Sequence, residues 1–371
     1  MSAEIAGTQG GEKTLLIAGG GTGGHVFPAI AVAKEWLGRE GGAGGKRSVV
    51  LVGTEQGMEA KLVPQAGLPL ELIRAAGLKG IRGAKFLRNA ALLPAGLWDS
   101  EKIVHRRRFS VAFGVGGYAS GPMMLLAALH RIPTVIFEPN AQPGFTNRVL
   151  AKLATRVAVA YKDAAAELGA SAVVTGCPIR REFFSVARKQ HTAPFTLLIT
   201  GGSRGAHPIN EAVLGALGHF AEKKNQLFIV HQTGERDYNA VCKEYARREI
   251  HAEVVPFIEN MAERFAQADL IVCRSGAITV AEVSAAGRAA IFIPFGASTD
   301  AHQTRNAAAT AQAGAARLLP QDELTPERLA GEVFSLLDQP RRIEEMEDRA
   351  RALAHPRAVE DIVDLLEGVA R

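Results

Sequence analysis

Two glycine-rich runs close on a histidine in the same way, TLLIAGGGTGGH from Thr14 to His25 and TLLITGGSRGAH from Thr196 to His207, identical at eight of twelve positions. Glycines at this density clear side chains from the backbone, and a turn of bare N–H groups leading into a helix start welcomes phosphate or a polar sugar. A histidine at the end of such a turn adds a base whose ordinary pKa of ~6.5 lies close to working pH. His25 is therefore the candidate general base; the competing role for it is to cap the helix or orient a diphosphate. His207 is followed at once by Pro208, and it reads as structural or diphosphate-facing.

Two look-alike motifs are weighed and set aside. Gly19, Gly21 and Gly24 satisfy G-x-G-x-x-G, but Glu55, the acid after the next strand, lies well beyond the ~20 residues expected for a ribose-binding carboxylate in a dinucleotide fold. GGSRG at 201–205 satisfies G-x-S-x-G, which would make Ser203 a nucleophile with Asp300 and His302 as partners. The first copy of the turn has no serine, so the shared feature is the backbone, and Ser203 is read as a hydrogen-bond donor to phosphate. A Walker loop is excluded because neither turn contains Gly-Lys-Ser/Thr.

A third turn, in LIVCRSGAITVAEVSAAG, predicts a strand over 270–273, a turn at Arg274–Gly276 and a helix from about Ala277, whose N-terminus would meet a diphosphate. Glu282 then lies about two turns into that helix, where a carboxylate suits the two hydroxyls of a ribose; an ordinary surface glutamate is the alternative. Downstream, His302, Gln303 and Asn306 follow a strand end and could read sugar hydroxyls.

The elements that must position these groups are parallel strands. Short Val/Ile/Leu runs such as TLLIAG, SVVLVG, SVAFGVGG, PTVIFE and RVAVAY, each followed by a glycine-rich turn or a helical pattern, read as strands buried on both faces. The cycle restarts with FTLLITGG, LFIVHQTG, AEVVPFI, LIVCRSG and AAIFIPF. Two doubly wound α/β domains follow, 1–176 and 177–371, with the last two helices packing back toward the first domain.

Length and composition agree: 371 residues, 47% hydrophobic and 22% charged, suffice for two cores. The first dozen residues lack the pattern of a secretory signal, no apolar stretch approaches eighteen residues, and the three cysteines are far apart, so a cytoplasmic protein with no zinc site is expected. The formal charge of +5 is uneven, with 20 Lys+Arg against 12 Asp+Glu in residues 1–177 and 23 against 26 in the rest. Within the basic half, GLKGIRGAKFLRNAALLPAGLW interleaves Leu78, Ile81, Phe86, Leu93 and Trp98 with Lys79, Arg82, Lys85 and Arg88. Apolar residues to insert and cations for anionic headgroups make a peripheral membrane patch; a core helix with a basic outer face is the alternative. Nucleic acid is excluded as the anionic partner, since no aromatic interleaving or binding module accompanies the charge.

The motifs GGGTGGHVFPAIAVA, GVGGYASGP, GGSRGAHPIN, FIENMAERFAQADLIVCRSGAITVAE and DAHQTRNA, in this order and spacing, closely resemble the MurG family, the N-acetylglucosaminyl transferases that convert lipid I to lipid II in peptidoglycan synthesis. The resemblance covers nearly the whole chain. It implies the GT-B fold, two Rossmann-like domains facing across a cleft, with the lipid-linked acceptor on the first and UDP-N-acetylglucosamine on the second, at the cytoplasmic face of the bacterial inner membrane. It implies a donor site of Thr22, Gly23, Gly24, Asn140, Arg180, Ser203, Ile258 (through its backbone, to uracil), Ala277, Ile278, Thr279, Val280, Ala281, Glu282 (to ribose) and Gln303 (to the sugar). Glu138 is the reserve candidate for the base.

Two positions depart from the family pattern. Phe137 stands where a histidine is common, which removes that residue's role, and Arg204 stands where glutamine is common, which puts a side-chain contact there in doubt. Inversion by one displacement is implied. The absence of any Asp-x-Asp triplet argues that no metal cofactor is obligatory, a divalent cation being at most stimulatory. Two other functions are kept open: a two-domain UDP-sugar transferase with a different acceptor, and a silent nucleotide-sugar-binding subunit.

Overall fold

A computed structural model describes residues 12–39, 45–76, 83, 91–296 and 301–371. The stretch Leu78, Lys79, Ile81, Arg82, Lys85, Phe86 and Arg88 lies outside the described residues.

The chain divides into two compact units, one of residues 1–139, 143–179 and 357–371, the other of 140–142 and 180–356. The crossing at Ile179/Arg180 comes three residues after the boundary read from the sequence. Of the two final helices, Ala358–Val369 belongs to the first unit, while Pro340–Ala352 stays with the second.

The first unit is built on a parallel sheet of seven strands: β1 (Lys13–Gly19), β2 (Arg47–Gly53), β3 (Leu70–Leu72), β4 (Val111–Gly116), β5 (Thr134–Glu138), β6 (Arg156–Val159) and β7 (Ala172–Val174). They lie in the order β3-β2-β1-β4-β5-β6-β7. Leu15, Leu16, Ile17 and Ala18 of β1 are fully buried, as an apolar run covered on both faces must be. The helix Gly23–Gly38 buries Val26, Val32, Ala33 and Trp36, and the Trp36 indole N–H donates to the Ser48 carbonyl at 3.1 Å. The returning helix Ala358–Val369 buries Ile362, Val363 and Leu366. Arg39 fastens it by donating to Asp364 at 2.6 Å, to Glu367 at 3.1 Å and to the Glu360 carbonyl at 3.0 Å.

The second unit repeats the winding with six parallel strands: β8 (Phe195–Thr200), β9 (Leu227–Gln232), β10 (Ala252–Val255), β11 (Leu270–Cys273), β12 (Ala290–Phe292) and β13 (Arg317–Leu318), in the order β10-β9-β8-β11-β12-β13. Its core gathers Leu197, Ile199, Ile209, Val213, Phe220, Ile229, Val272 and Ile291. In each unit the winding reverses beside the first strand, between β1 and β4 and between β8 and β11. The crevice beyond the carboxyl ends of strands at such a reversal is where open α/β sheets bind ligands. Both glycine runs leave the sheet at that point.

Candidate active site

In the first unit, Gly20 and Gly21 follow β1 with φ of 155° and 93°. A Cβ at Gly117 would stand 2.1 Å from the Gly20 carbonyl oxygen, so glycine after β4 is what allows the two strand ends to approach. Gly20 N–H donates to the Gly116 carbonyl at 3.3 Å. Thr22 caps the helix Gly23–Gly38 in an extended conformation, and Thr22, Gly23 and Gly24 remain partly or fully exposed.

His25 turns back over this loop. Its Nδ1 lies 3.2 Å from the Gly20 carbonyl oxygen, and because a carbonyl can only accept, Nδ1 carries the proton. The Nε2 lone pair is left to take a proton from elsewhere. Burial lowers the His25 pKa, while the Gly20 carbonyl, Glu138 and Glu59 pull it back up, so the ring is neutral at pH 7. A neutral imidazole with one bare nitrogen is the state a general base needs.

Glu138, at the end of β5, is 1% exposed, and its Oε2 accepts from Gly144 N–H and the Asn147 amide, both at 2.9 Å. Asn147 also donates to the Phe137 carbonyl at 3.0 Å. Glu138 thus pins the loop that follows its own strand, and it bears on His25 through its charge.

Sequence reasoning passed over Glu59, a buried acid with three hydrogen bonds. It is 2% exposed; Oε1 accepts from Thr54 N–H at 2.8 Å and the Thr54 hydroxyl at 2.9 Å, and Oε2 accepts from Gly21 N–H at 2.6 Å. Hydrogen bonds to a charged group contribute about 1.5–3 kcal/mol each, against about 0.3–1 kcal/mol for an anion at an exposed helix end. The side chain therefore sets the shape of the turn more than the helix dipole does. The signal that could have found it is GTEQGME, in which Gly53 and Gly57 precede Glu59 by six and two positions and make room for its side chain.

In the second unit the turn 201–205 is held from beneath. Gln232, at the end of β9 and 1% exposed, donates through Nε2 to the Gly202 carbonyl at 2.8 Å and accepts through Oε1 from Ile258 N–H at 3.0 Å. One amide thereby fixes both the turn and the Ile258 backbone. Gly202, Ser203 and Arg204 are exposed. His207 is tied sideways to Asp237 at 3.0 Å, and Asp237 also accepts from the Asn210 amide at 2.8 Å.

The third turn runs as the sequence indicates: β11 ends at Cys273, Gly276 caps, and the helix is Ala277–Ala286. Ala277 and Val280 are buried and can meet a ligand through backbone alone, whereas Ile278, Thr279, Ala281 and Glu282 are half-buried along one side. Burial pushes Glu282 up to about 7 against the opposing pull of Arg180, whose guanidinium lies 3.3 Å from Oε1. Arg180 also pairs with Glu182 at 3.1 Å and lies over the Phe183 ring at 4.9 Å.

Gln303 opens the helix His302–Gln312; its Oε1 accepts from Phe295 N–H at 2.9 Å, and its carbonyl accepts from the Ser275 hydroxyl at 2.8 Å. Asn306, fully buried, accepts from Ala141 N–H at 2.9 Å and donates to Asn140 Oδ1 at 3.2 Å and to the Ser275 carbonyl at 3.3 Å. Its amide is engaged with the chain, and it brings Asn140 beside Ser275.

Among the described residues, one group of three side chains is close enough to share a metal ion, Glu101, His105 and His130. It sits on segments leading into β4 and β5, at the end of the strands opposite the glycine turns, next to Arg106, Arg107 and Arg108. Leu93 and Trp98, on the helix Leu92–Arg106, are exposed, with Lys102 over the indole at 5.4 Å. No helix among the described residues is long and apolar enough to cross a membrane.

Family models match both units, the glycosyltransferase family 28 N-terminal domain over residues 15–159 and the C-terminal domain over 196–362. A transferase from Myxococcus xanthus strain DK1622, named UDP-N-acetylglucosamine:N-acetylmuramyl-(pentapeptide) pyrophosphoryl-undecaprenol N-acetylglucosamine transferase, is 44% identical over 354 residues, 95% of this chain and 91% of the relative. The chain belongs to glycosyltransferase family 28. A second relative in the family, of the same name, from Geotalea daltonii strain DSM 22248, is 43% identical over 95% of this chain and 97% of its own. The crystal structure of Acinetobacter baumannii MurG superposes with a TM-score of 0.77 at 34% identity, covering 96% of this chain and 99% of that one. The two parallel Rossmann-like sheets are thus the family 28 GT-B architecture.

Proposed function

We propose that the chain transfers N-acetylglucosamine from UDP-N-acetylglucosamine to the 4-hydroxyl of the N-acetylmuramyl-pentapeptide carried on undecaprenyl pyrophosphate, making lipid II from lipid I for peptidoglycan. The observation that carries this reading is the near-full-length identity to transferases named for that reaction.

This reading carries a mechanism. In the second unit the Ile258 backbone meets uracil, Glu282 accepts from the ribose hydroxyls, and Ser203 with the N-terminus of the helix Ala277–Ala286 faces the diphosphate. Arg180, Asn140 and Gln303 complete the donor's surroundings. In the first unit Thr22, Gly23 and Gly24 face the reacting sugar, and His25 Nε2 accepts the proton of the 4-hydroxyl. The acceptor oxygen bonds to the anomeric carbon as the bond to UDP breaks, so one displacement inverts that carbon. Negative charge grows on the departing diphosphate, where helix N–H groups aimed at it stabilise the transition state. This chemistry needs no obligatory metal cofactor, and a divalent cation would stimulate at most.

Attachment is peripheral in this reading, at the cytoplasmic face of the inner membrane. Leu78, Ile81 and Phe86 would enter the headgroup region while Lys79, Arg82, Lys85 and Arg88 meet anionic lipid. The test of function is release of UDP by purified protein supplied with UDP-N-acetylglucosamine and a lipid I analogue. Release that requires the analogue is expected; release at the same rate without it would mean hydrolysis and sink the proposal.

A further inference from the structure

The two glycine turns share their sequence but not their contents. In the first, a position between the ends of β1 and β2, where the backbone N–H groups of Gly21 and Thr54 converge, is filled by the carboxylate of Glu59, which reaches across from the helix Glu59–Gln65. The protein has cleared space for it: a Cβ would lie 2.1 Å from the Glu59 carboxyl at Gly20, 2.3 Å from its Cγ at Gly53 and 2.0 Å from Oε2 at Gly57. Three glycines on two loops therefore surround one buried anion. It takes the Gly21 N–H, in the same loop that holds His25 through the Gly20 carbonyl.

We propose that Glu59 is a positioning residue for the transfer: its carboxylate fills the anion position of the first turn from inside the protein, so that this turn holds His25 instead of a substrate phosphate. The proposal rests on the reading of His25 as the base. Glu59 works through the backbone, by fixing Gly20 and Gly21, and through charge, since it and Glu138 at the end of β5 are the two acids that favour protonation of His25 against its burial. The second unit offers the contrast. There the side chain under the turn is the neutral Gln232, which takes a carbonyl and leaves the exposed part of the loop to the donor.

The test uses two variants of the full chain. In Glu59→Gln the side-chain oxygen can still serve Thr54, but the NH₂ group then faces Gly21 N–H, donor against donor. A fall in kcat on the order of 10–100-fold is expected, the range that a small misplacement of a catalytic group costs, with KM for UDP-N-acetylglucosamine unchanged. The acid limb of the pH profile and the NMR titration of the His25 ring should both move to lower pH. In Glu59→Ala the vacated space is bounded by the same N–H groups, and added formate should restore several-fold of the lost turnover. Circular dichroism and thermal melting show that each variant is folded. A His25 titration identical to that of the native protein, with no response to formate, would overturn the proposal. A shifted titration with turnover intact would instead remove His25 from the chemistry, and with it the part of Glu59 in transfer.

Discussion

In the first unit the turn after β1 closes around a carboxylate and turns a histidine inward, whereas in the second the turn after β8 is tied from beneath by an amide and leaves Gly202, Ser203 and Arg204 exposed. Both descend from nearly the same twelve residues. What separates them comes from elsewhere in the chain, thirty to forty residues downstream, where the loop after β2 brings Glu59 and the end of β9 brings Gln232. A charge beneath the turn favours a proton on the neighbouring imidazole; a neutral amide does not. In the proposed mechanism these near-identical turns take opposite tasks through one buried side chain each, base and acceptor on one side, donor phosphates on the other.

The comparison breaks most sharply at the histidine. His25→Ala is expected to lower turnover on the order of 10²–10⁴-fold, the usual contribution of a general base, while UDP-N-acetylglucosamine binds to the second unit as before by calorimetry. An equal loss of donor affinity would mean that His25 belongs to the donor site and that the division of tasks is wrong.

A smaller effect is expected at Glu282, and with the opposite signature. Replacing it by Gln removes a charged acceptor, which costs about 1.5–3 kcal/mol, so donor affinity should drop by roughly one to two powers of ten while turnover at saturating donor changes little. The native enzyme should show the same dependence in pH. With Glu282 pushed up to about 7 by burial, it is ionised and able to accept from both ribose hydroxyls above that value. Protonation below it leaves a weaker acceptor, so kcat/KM for the donor should decline as pH falls through 7, and the Gln variant should lose that limb.

The smallest effect belongs to Ser203. As a donor of one hydrogen bond to phosphate it contributes about 0.5–1.5 kcal/mol, so Ser203→Ala should raise donor KM by roughly twofold to tenfold. Complete loss of turnover would revive the nucleophile that the G-x-S-x-G pattern suggests.

Much of this was legible before the structure. The repeated turn announced two sheets of the same winding, the Val/Ile/Leu runs located the central strands, and CRSGAITVAE placed both the helix start at Ala277 and Glu282 on its second turn. The edges were not legible: β3 and β13 are three and two residues long, too short to carry a hydrophobic pattern. Neither were the side chains that act at long range. Glu59, Gln232 and Asn306 are polar residues that the chain's packing buries, and their partners lie 38, 30 and 165 positions away. Local periodicity holds no trace of such pairings. Asn306 shows the consequence, since its place near Gln303 suggested a reader of sugar hydroxyls, yet the fold has it gripping Asn140 and Ala141. A return of the last two helices to the first domain was expected from the sequence; the last one, Ala358–Val369, lies in the first unit, and its anchor on Arg39 was not legible.

The transfer itself is tested most directly by following the sugar. UDP carrying radiolabelled N-acetylglucosamine is incubated with the purified protein and a lipid I analogue, and the extracted lipid is examined for label and for the configuration of the new bond. Label is expected in the lipid, joined to the muramyl 4-hydroxyl with the anomeric carbon inverted. Label recovered solely as free N-acetylglucosamine, or a bond of retained configuration, would contradict the proposed reaction.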